Sequence, residues 1–359
     1  YLGNQTNYSV LAIANGGIRK TIDYPQGADV VTEYNAFGWE LNSKVLALNN
    51  KWVKTVANYD VLGRKTAVSE PFFDTESPTQ WTTSSYDSYG RLISIIEPTG
   101  KTTITTYNGL NTTVEDGVKS MSSTKDAAGN IITMTDLGGT VNYSYFANGV
   151  MKEANYGGHI VSTEIDGWGR KIGLSDPDAG HYGYEYNSIG ELLAESTPNG
   201  ITYYTYDNYG KTISKQIVGN LTDMNTTYTY NSSTKLLMSI MGTNTVNGVV
   251  NDKTQTFVYD NYKRIKEVNE TSTSDQVNFN QKSTFDTLGR VATSEYNSTH
   301  AGQSSQVKTQ NIYDSYGNLI QIKDYISGTI LWQLNTENAR GQMLQVTLGN
   351  GAKKTRSYD

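Results

Sequence analysis

The stretch YDSYGRLISIIEP, Tyr86–Pro98, decides how the chain folds. Asp87 stands where the first residue of a type I turn accepts a backbone N–H from two residues further on. Gly90 closes the turn, because glycine enters the left-handed region that ends a hairpin in a bulge. Tyr86 and Arg91 flank the turn as strand residues, and RLISII continues as a strand of ordinary length.

The phrase then recurs along the chain. It reads YDVLGR at Tyr59–Arg64, with Asp60 and Gly63 as turn residues, and IDGWGR at Ile165–Arg170, with Asp166, Gly169 and Arg170. It returns as YNSIGE at Tyr186–Glu191 and as YDNYGK at Tyr206–Lys211, with Asp207 and Gly210. FDTLGR at Phe285–Arg290 supplies Asp286 and Gly289, and YDSYGN at Tyr313–Asn318 supplies Asp314 and Gly317. Looser copies are YNAFGW at Tyr34–Trp39, KDAAGN at Lys125–Asn130, YNSSTK at Tyr230–Lys235 and YDNYKR at Tyr259–Arg264, and Tyr358-Asp359 spells the first two letters of another. Most successive copies lie roughly 20 to 29 residues apart, and internal repetition on that scale marks a repeat architecture.

A second kind of turn falls between these anchors: EPTGK at Glu97–Lys101, LGGT at Leu137–Thr140, TPNGI at Thr197–Ile201 and GNGAK at Gly349–Lys353. Pro-Gly and Asn-Gly pairs are strong turn signals. Thr/Tyr-rich strands follow them, and in ITYYTYD the residues Thr202, Tyr204 and Tyr206 share one face. Each repeat is therefore two strands and two turns. An isolated hairpin is marginal in water, so the repeats must pair into one continuous antiparallel sheet.

Composition agrees. Among 359 residues stand 27 Tyr and 34 Gly, with only 18% charged residues, the balance of strands and turns rather than of helices. A net charge of −6 offers no basic surface for nucleic acid or an anionic membrane. No apolar run reaches the roughly 20 residues that span a bilayer, and no signal segment opens the chain. With no Cys, thiolate chemistry, disulfides and zinc-finger spacings are excluded together.

The YDxxGR phrase, with Gly-x-Thr-x-Tyr leading into it, resembles the YD repeats of the bacterial RHS family over essentially the whole chain; SDPDAGHYGYEYNSIGELL, Ser175–Leu193, is especially similar to bacterial members. Relatives include RHS polymorphic toxins, the B and C components of insecticidal toxin complexes and the YD shells of teneurins. The resemblance implies an all-β array whose sheet spirals into a hollow shell, enclosing in the toxin relatives a toxic C-terminal polypeptide often freed by self-cleavage. Its Asp-Pro-x-Gly-Leu cleavage motif is missing: the one Asp-Pro, Asp176-Pro177, is followed by Asp178-Ala179, so no self-cleaving residue carries over. Residues 1–359 read as a single repeat array and as a piece of a longer protein. Residues 215–310, where Asn, Ser and Thr accumulate, read as carrying longer hairpin loops at one rim.

No catalytic constellation emerges. The anchor Asp residues are explained by turn geometry, and Asp176 and Asp178 lack EF-hand spacing and read as a Pro-containing turn. His159, His181 and His300 belong to different repeats, and Gly-x-Ser-x-Gly, phosphate-loop and HExxH motifs are missing. No cofactor fingerprint is present either. The anchor Tyr read as packing one repeat on the next, and Arg64, Arg91, Arg170 and Arg290 as surface ion pairs or lumen charges. Trp39 and Trp168, in or beside turns, are the better candidates for stacking on sugar rings. The expectation is a non-enzymatic shell, secreted or on the cell surface, whose partners are the remainder of the shell protein and a toxin or effector polypeptide. The alternative is an adhesion protein whose repeats bind surface glycans or a receptor.

Overall fold

A computed structural model describes residues 6–25, 27–220, 222–246 and 249–358. Thirty-two strands form one antiparallel sheet, and 63% of the chain is strand. Helix is confined, among the described residues, to two single 3-10 turns, Ala14–Gly16 and Leu48–Asn50. Nearly every strand pairs with its neighbours in sequence, as Gly180–Tyr186 does with Lys171–Asp176 and Leu192–Thr197. The exception is the two-residue strand Phe72–Phe73, which turns back onto Lys51–Tyr59.

The turns divide into two rims. All the YDxxGR turns lie at one end of the strands, and the second turn type lies at the other. Beside the anchor turns the register shifts by one residue, as at Glu185/Tyr186 and Thr205/Tyr206, which is the bulge that the turn glycine permits.

The sheet carries no second layer. A globular protein of 39.6 kDa exposes about 14,000 Å² by the usual scaling, and this one exposes 22399 Å². Among the described residues six apolar ones are buried, including Leu46, Leu48 and Ala194, and no large side chain is fully enclosed. Hydrogen-bonded strands, not a two-sided core, hold the array together.

Contacts between distant residues show how the sheet winds. The backbone N–H of Leu48 donates to Glu337 Oε1 at 3.3 Å, and the Tyr316 hydroxyl to Asn50 Oδ1 at 2.8 Å. Arg340 reaches Gln80 Oε1 at 3.0 Å and Glu70 Oε2 at 3.2 Å. In each case an anchor-rim residue of the late strands meets the opposite rim of the early ones. The first and last strands do not pair, so the sheet closes not edge to edge but by stacking one coil on the next. Twenty-three laterally paired strands, Lys51–Tyr59 through Gln303–Tyr313 without Phe72–Phe73, separate Asn50 from Tyr316. At about 4.8 Å per strand that is a circuit of about 110 Å, or about 35 Å across.

The segment 215–310 differs from the loop-rich reading of its sequence. Its extra residues lengthen strands, to 10 in Leu237–Val246 and Val291–His300 and 11 in Val249–Tyr259 and Gln303–Tyr313. The Ser, Thr and Asn pair across strands: Thr229 with Ser239 at 2.6 Å, Thr284 with Thr293 at 2.7 Å, and Asn280 with Asn269 at 2.5 Å. Polar composition thus marks a hydroxyl- and amide-laced ladder, not an irregular loop.

Candidate functional site: the anchor-turn spine

Each anchor turn is a closed local network. Asp60 Oδ1 accepts the backbone N–H groups of Leu62 at 2.9 Å and Arg64 at 3.0 Å, while Oδ2 takes Arg64 Nε at 2.6 Å. Asp87 with Arg91, Asp166 with Arg170 and Asp286 with Arg290 repeat this, each with an Nε–Oδ2 distance of 2.7 Å. Asp207 accepts from the backbones of Tyr209 and Lys211 at 2.8 and 3.0 Å, and Asp314 from those of Tyr316 and Asn318 at 2.9 and 2.8 Å. At Asn187 the polarity reverses, its amide donating to Glu191 Oε2 at 2.6 Å. Desolvation works against ionisation of Asp60, but the Arg64 and Leu62 N–H groups and the Arg64 guanidinium outweigh it, so the carboxyl sits below its ordinary range. The same balance lowers Asp87, Asp166 and Asp286. Gly90 and Gly63 take φ of +83° and +81°, the left-handed values the turn requires.

The tyrosines and arginines join one turn to the next. The Tyr86 hydroxyl donates to Lys65 O at 2.8 Å, Tyr206 to Leu192 O at 2.7 Å, Tyr313 to Val291 O at 3.0 Å and Tyr59 to Glu40 O at 2.8 Å. In these four the acceptor is the carbonyl two residues after the preceding turn's fourth position. Where the preceding turn ends in arginine, that cation lies over the ring: Arg64 over Tyr86 at 4.7 Å, Arg170 over Tyr186 at 4.9 Å, Arg290 over Tyr313 at 4.2 Å. Arg64 Nη1 also donates to Asp87 O at 3.2 Å, and Arg170 Nη1 to Asn187 O at 3.1 Å. The anchor Tyr do link repeat to repeat, by hydroxyl as well as by ring. The Arg side chains do more than pair on the surface, since each ties its own turn to the next.

The two tryptophans part company. Trp39 occupies the position that Arg takes elsewhere and lies half-buried, 5.0 Å from Phe37 and 5.5 Å from Tyr59 between ring centres. A Cβ added to Gly63 would stand 2.6 Å from its ring. Trp39 is thus a packing residue that replaces a cation, whereas Trp168, at a turn tip, is 87% exposed. Asp176 accepts from the backbones of Asp178 at 2.8 Å and Ala179 at 3.0 Å, a turn of the opposite rim. Among the described residues no group of three His, Cys, Asp or Glu is placed to hold a metal, and no helix is long and apolar enough to cross a membrane.

Three copies of the spine escape the sequence pattern. Tyr145 donates to Ile131 O at 2.6 Å ahead of a turn with no acidic residue, FANGV. Tyr107 donates to Leu92 O at 3.1 Å before the tight turn at Gly109-Leu110. Asn338 accepts from the backbones of Arg340 and Gln342, both at 3.0 Å, with no tyrosine before it. The first two fill the long intervals on either side of KDAAGN, and that uneven spacing was the available signal. Tyr358 also behaves as an anchor, donating to Met343 O at 3.2 Å, while Asp359 lies outside the described residues.

No protein-family model and no curated protein matches the chain. Solved structures do share its fold. The TcdB2–TccC3 complex without its hypervariable C-terminal region aligns over 95% of this chain with a TM-score of 0.58 at 15% identity. The Tc holotoxin pore of Photorhabdus luminescens aligns over 96% with 0.56 at 14%, and the TcdB2–TccC3–Cdc42 complex over 92% with 0.50 at 14%. The chain spans about a fifth of those molecules, 20%, 22% and 22% of their lengths. At such identity the likeness is one of fold, an all-β antiparallel hairpin sheet of the RHS/YD type.

Proposed function

We propose that the chain is a section of the wall of an RHS-type secreted toxin or effector shell, which encloses and delivers a toxic polypeptide carried by the same protein or by a partner. Its task is mechanical rather than enzymatic. The observation that carries this reading is a single-layer sheet wound until its rims meet, with 22399 Å² of exposed surface and almost no core. Such a wall satisfies its own backbone hydrogen bonds, so a guest inside need not be folded and finds no open sheet edge to pair with along the coil. The Tc toxins that share the fold support the toxin setting.

The test is made on the complete natural protein. Native and denaturing mass measurements are compared before and after protease treatment. A segment outside the repeats that survives protease while the particle is intact, and is digested once it is unfolded, is the expected result. A particle in which every non-repeat segment is digested from the native state overturns the proposal. Adhesion through the exposed Trp168 would then be the reading to pursue on a glycan array.

A further inference from the structure

The strands Gly180–Tyr186 through Asp223–Tyr230 present two unlike faces. Successive side chains point to opposite faces of a strand, so Tyr204 lies with the anchor Tyr206, and Tyr203 lies on the reverse, opposite Ala194 and Gln216. Tyr203 is 44% exposed and Val218 42%, whereas their chain neighbours on the anchor face, Tyr204 and Ile217, are half-buried. In a one-layer sheet wound into a coil, side chains converge on the concave side and splay on the convex side. The anchor face is therefore the inner one. Further coils would meet the rims and leave this face open.

Tyrosines gather on that face. The hydroxyls of Tyr186, Tyr206 and Tyr230 donate to backbone carbonyls of the preceding repeat, but those of Tyr182, Tyr184, Tyr204 and Tyr228 have no partner among the described residues. Burial foremost, and then the Glu195 charge, push the Tyr204 hydroxyl above its ordinary pKa, which keeps it a neutral donor. The nearby ammonium groups are spent on rings, Lys171 over Tyr184 at 4.7 Å and Lys215 over Tyr204 at 5.9 Å. We infer that Tyr182, Tyr184, Tyr204 and Tyr228 form a docking patch on the inner wall for an extended polypeptide segment poor in charge. An extended backbone offers such donors a carbonyl about every 3.3 Å whatever its sequence, and the ring faces cover apolar side chains. A charged segment would lose its hydration there with little beyond Glu195 to replace it. The inference rests on the reading of the chain as a shell wall, and names where the enclosed chain touches that wall.

Site-specific photo-cross-linking in the complete natural protein tests it. Para-benzoylphenylalanine is placed at Tyr204 or at Tyr228, and at Tyr203 as the control on the same strand and the opposite face. Neither inner hydroxyl holds the fold, so these substitutions should leave the particle intact, which far-UV circular dichroism checks. The segment followed is the one that protease leaves whole in the native particle. The expected result is adducts to that segment from Tyr204 and Tyr228 in at least fivefold higher yield than from Tyr203, mapped to stretches poor in charge. Equal yields from the two faces overturn the inference and leave the shell reading standing. So do adducts confined to charged stretches, or none from the inner positions while the segment stays protected. Digestion of every such segment in the native particle overturns the shell reading itself, and the inference with it.

Discussion

Alanine at Gly63 and at Gly90 should have different costs, and the difference can be worked from the turn geometry. Both glycines are left-handed, at +81° and +83°. For an L-residue that region costs about 1–2 kcal/mol, and the stiffer unfolded chain returns about 0.4–1 kcal/mol. At Gly90 the added methyl meets nothing nearer than Arg64 Nη1 at 3.8 Å, so Gly90→Ala should lose only the conformational term, about 1 kcal/mol. At Gly63 the methyl would stand 2.6 Å from the Trp39 ring, which Phe37 and Tyr59 hold from either side. Overpacking of that kind adds about 1–3 kcal/mol, so Gly63→Ala should cost about 2–4 kcal/mol in total. The control runs in reverse: Lys263 occupies the glycine position of its turn at φ +65°, and Lys263→Gly should stabilise by a few tenths to 1 kcal/mol. Urea unfolding followed by circular dichroism reads all three. Equal losses at Gly63 and Gly90 would refute the placement of Trp39, and a destabilising Lys263→Gly would refute the turn geometry itself.

Other outcomes follow from the spine and the seam. Tyr206→Phe should cost about 0.5–1.5 kcal/mol through loss of the bond to Leu192 O, while Tyr89→Phe, at an exposed tip, should leave the urea midpoint unchanged. Trp39→Ala should lower that midpoint measurably and Trp168→Ala should not, since one ring is packed and the other is exposed. The lowered carboxyls of Asp60, Asp87, Asp166 and Asp286 contribute stability that is complete above the unfolded aspartate value of about 3.9 and is lost as pH falls through their folded values. The urea midpoint should therefore fall off below about pH 4. Glu337 has the opposite sign: burial foremost, and the nearby Asp314 charge, push its carboxyl up, against the bond from Leu48 N–H. Glu337→Gln should therefore raise the midpoint at neutral pH and leave it unaltered in acid, where the carboxyl is already protonated.

What the sequence disclosed was local. Asp87 and Gly90 specify a turn through bonds that span four residues, so the repeat, the all-β class and the two turn types could all be read from spacing and residue type. The role of Arg64 could not, because its ring partner Tyr86 and its acceptor Asp87 O belong to the next turn. Trp39 was misleading for a related reason: an aromatic beside a turn suggests exposure, but the site it fills is one that a guanidinium normally stacks into. In residues 215–310 composition suggested longer loops, yet Thr and Ser serve equally well in strands once a hydroxyl faces them across the ladder, as Thr229 and Ser239 do at 2.6 Å. The seam had no local signal at all. Tyr316 and Asn50 are 266 positions apart, and only the accumulated curvature of the sheet brings them together.

Small-angle X-ray scattering from the monomeric chain tests the central claim, a wound wall around an unfilled interior, most directly. A wall about 35 Å across puts much of its mass at opposite sides of the coil. The account predicts a pair-distance distribution skewed toward long distances and a pronounced first minimum in the scattering curve. A symmetric, bell-shaped distribution, as given by a filled globule of this mass, would contradict it.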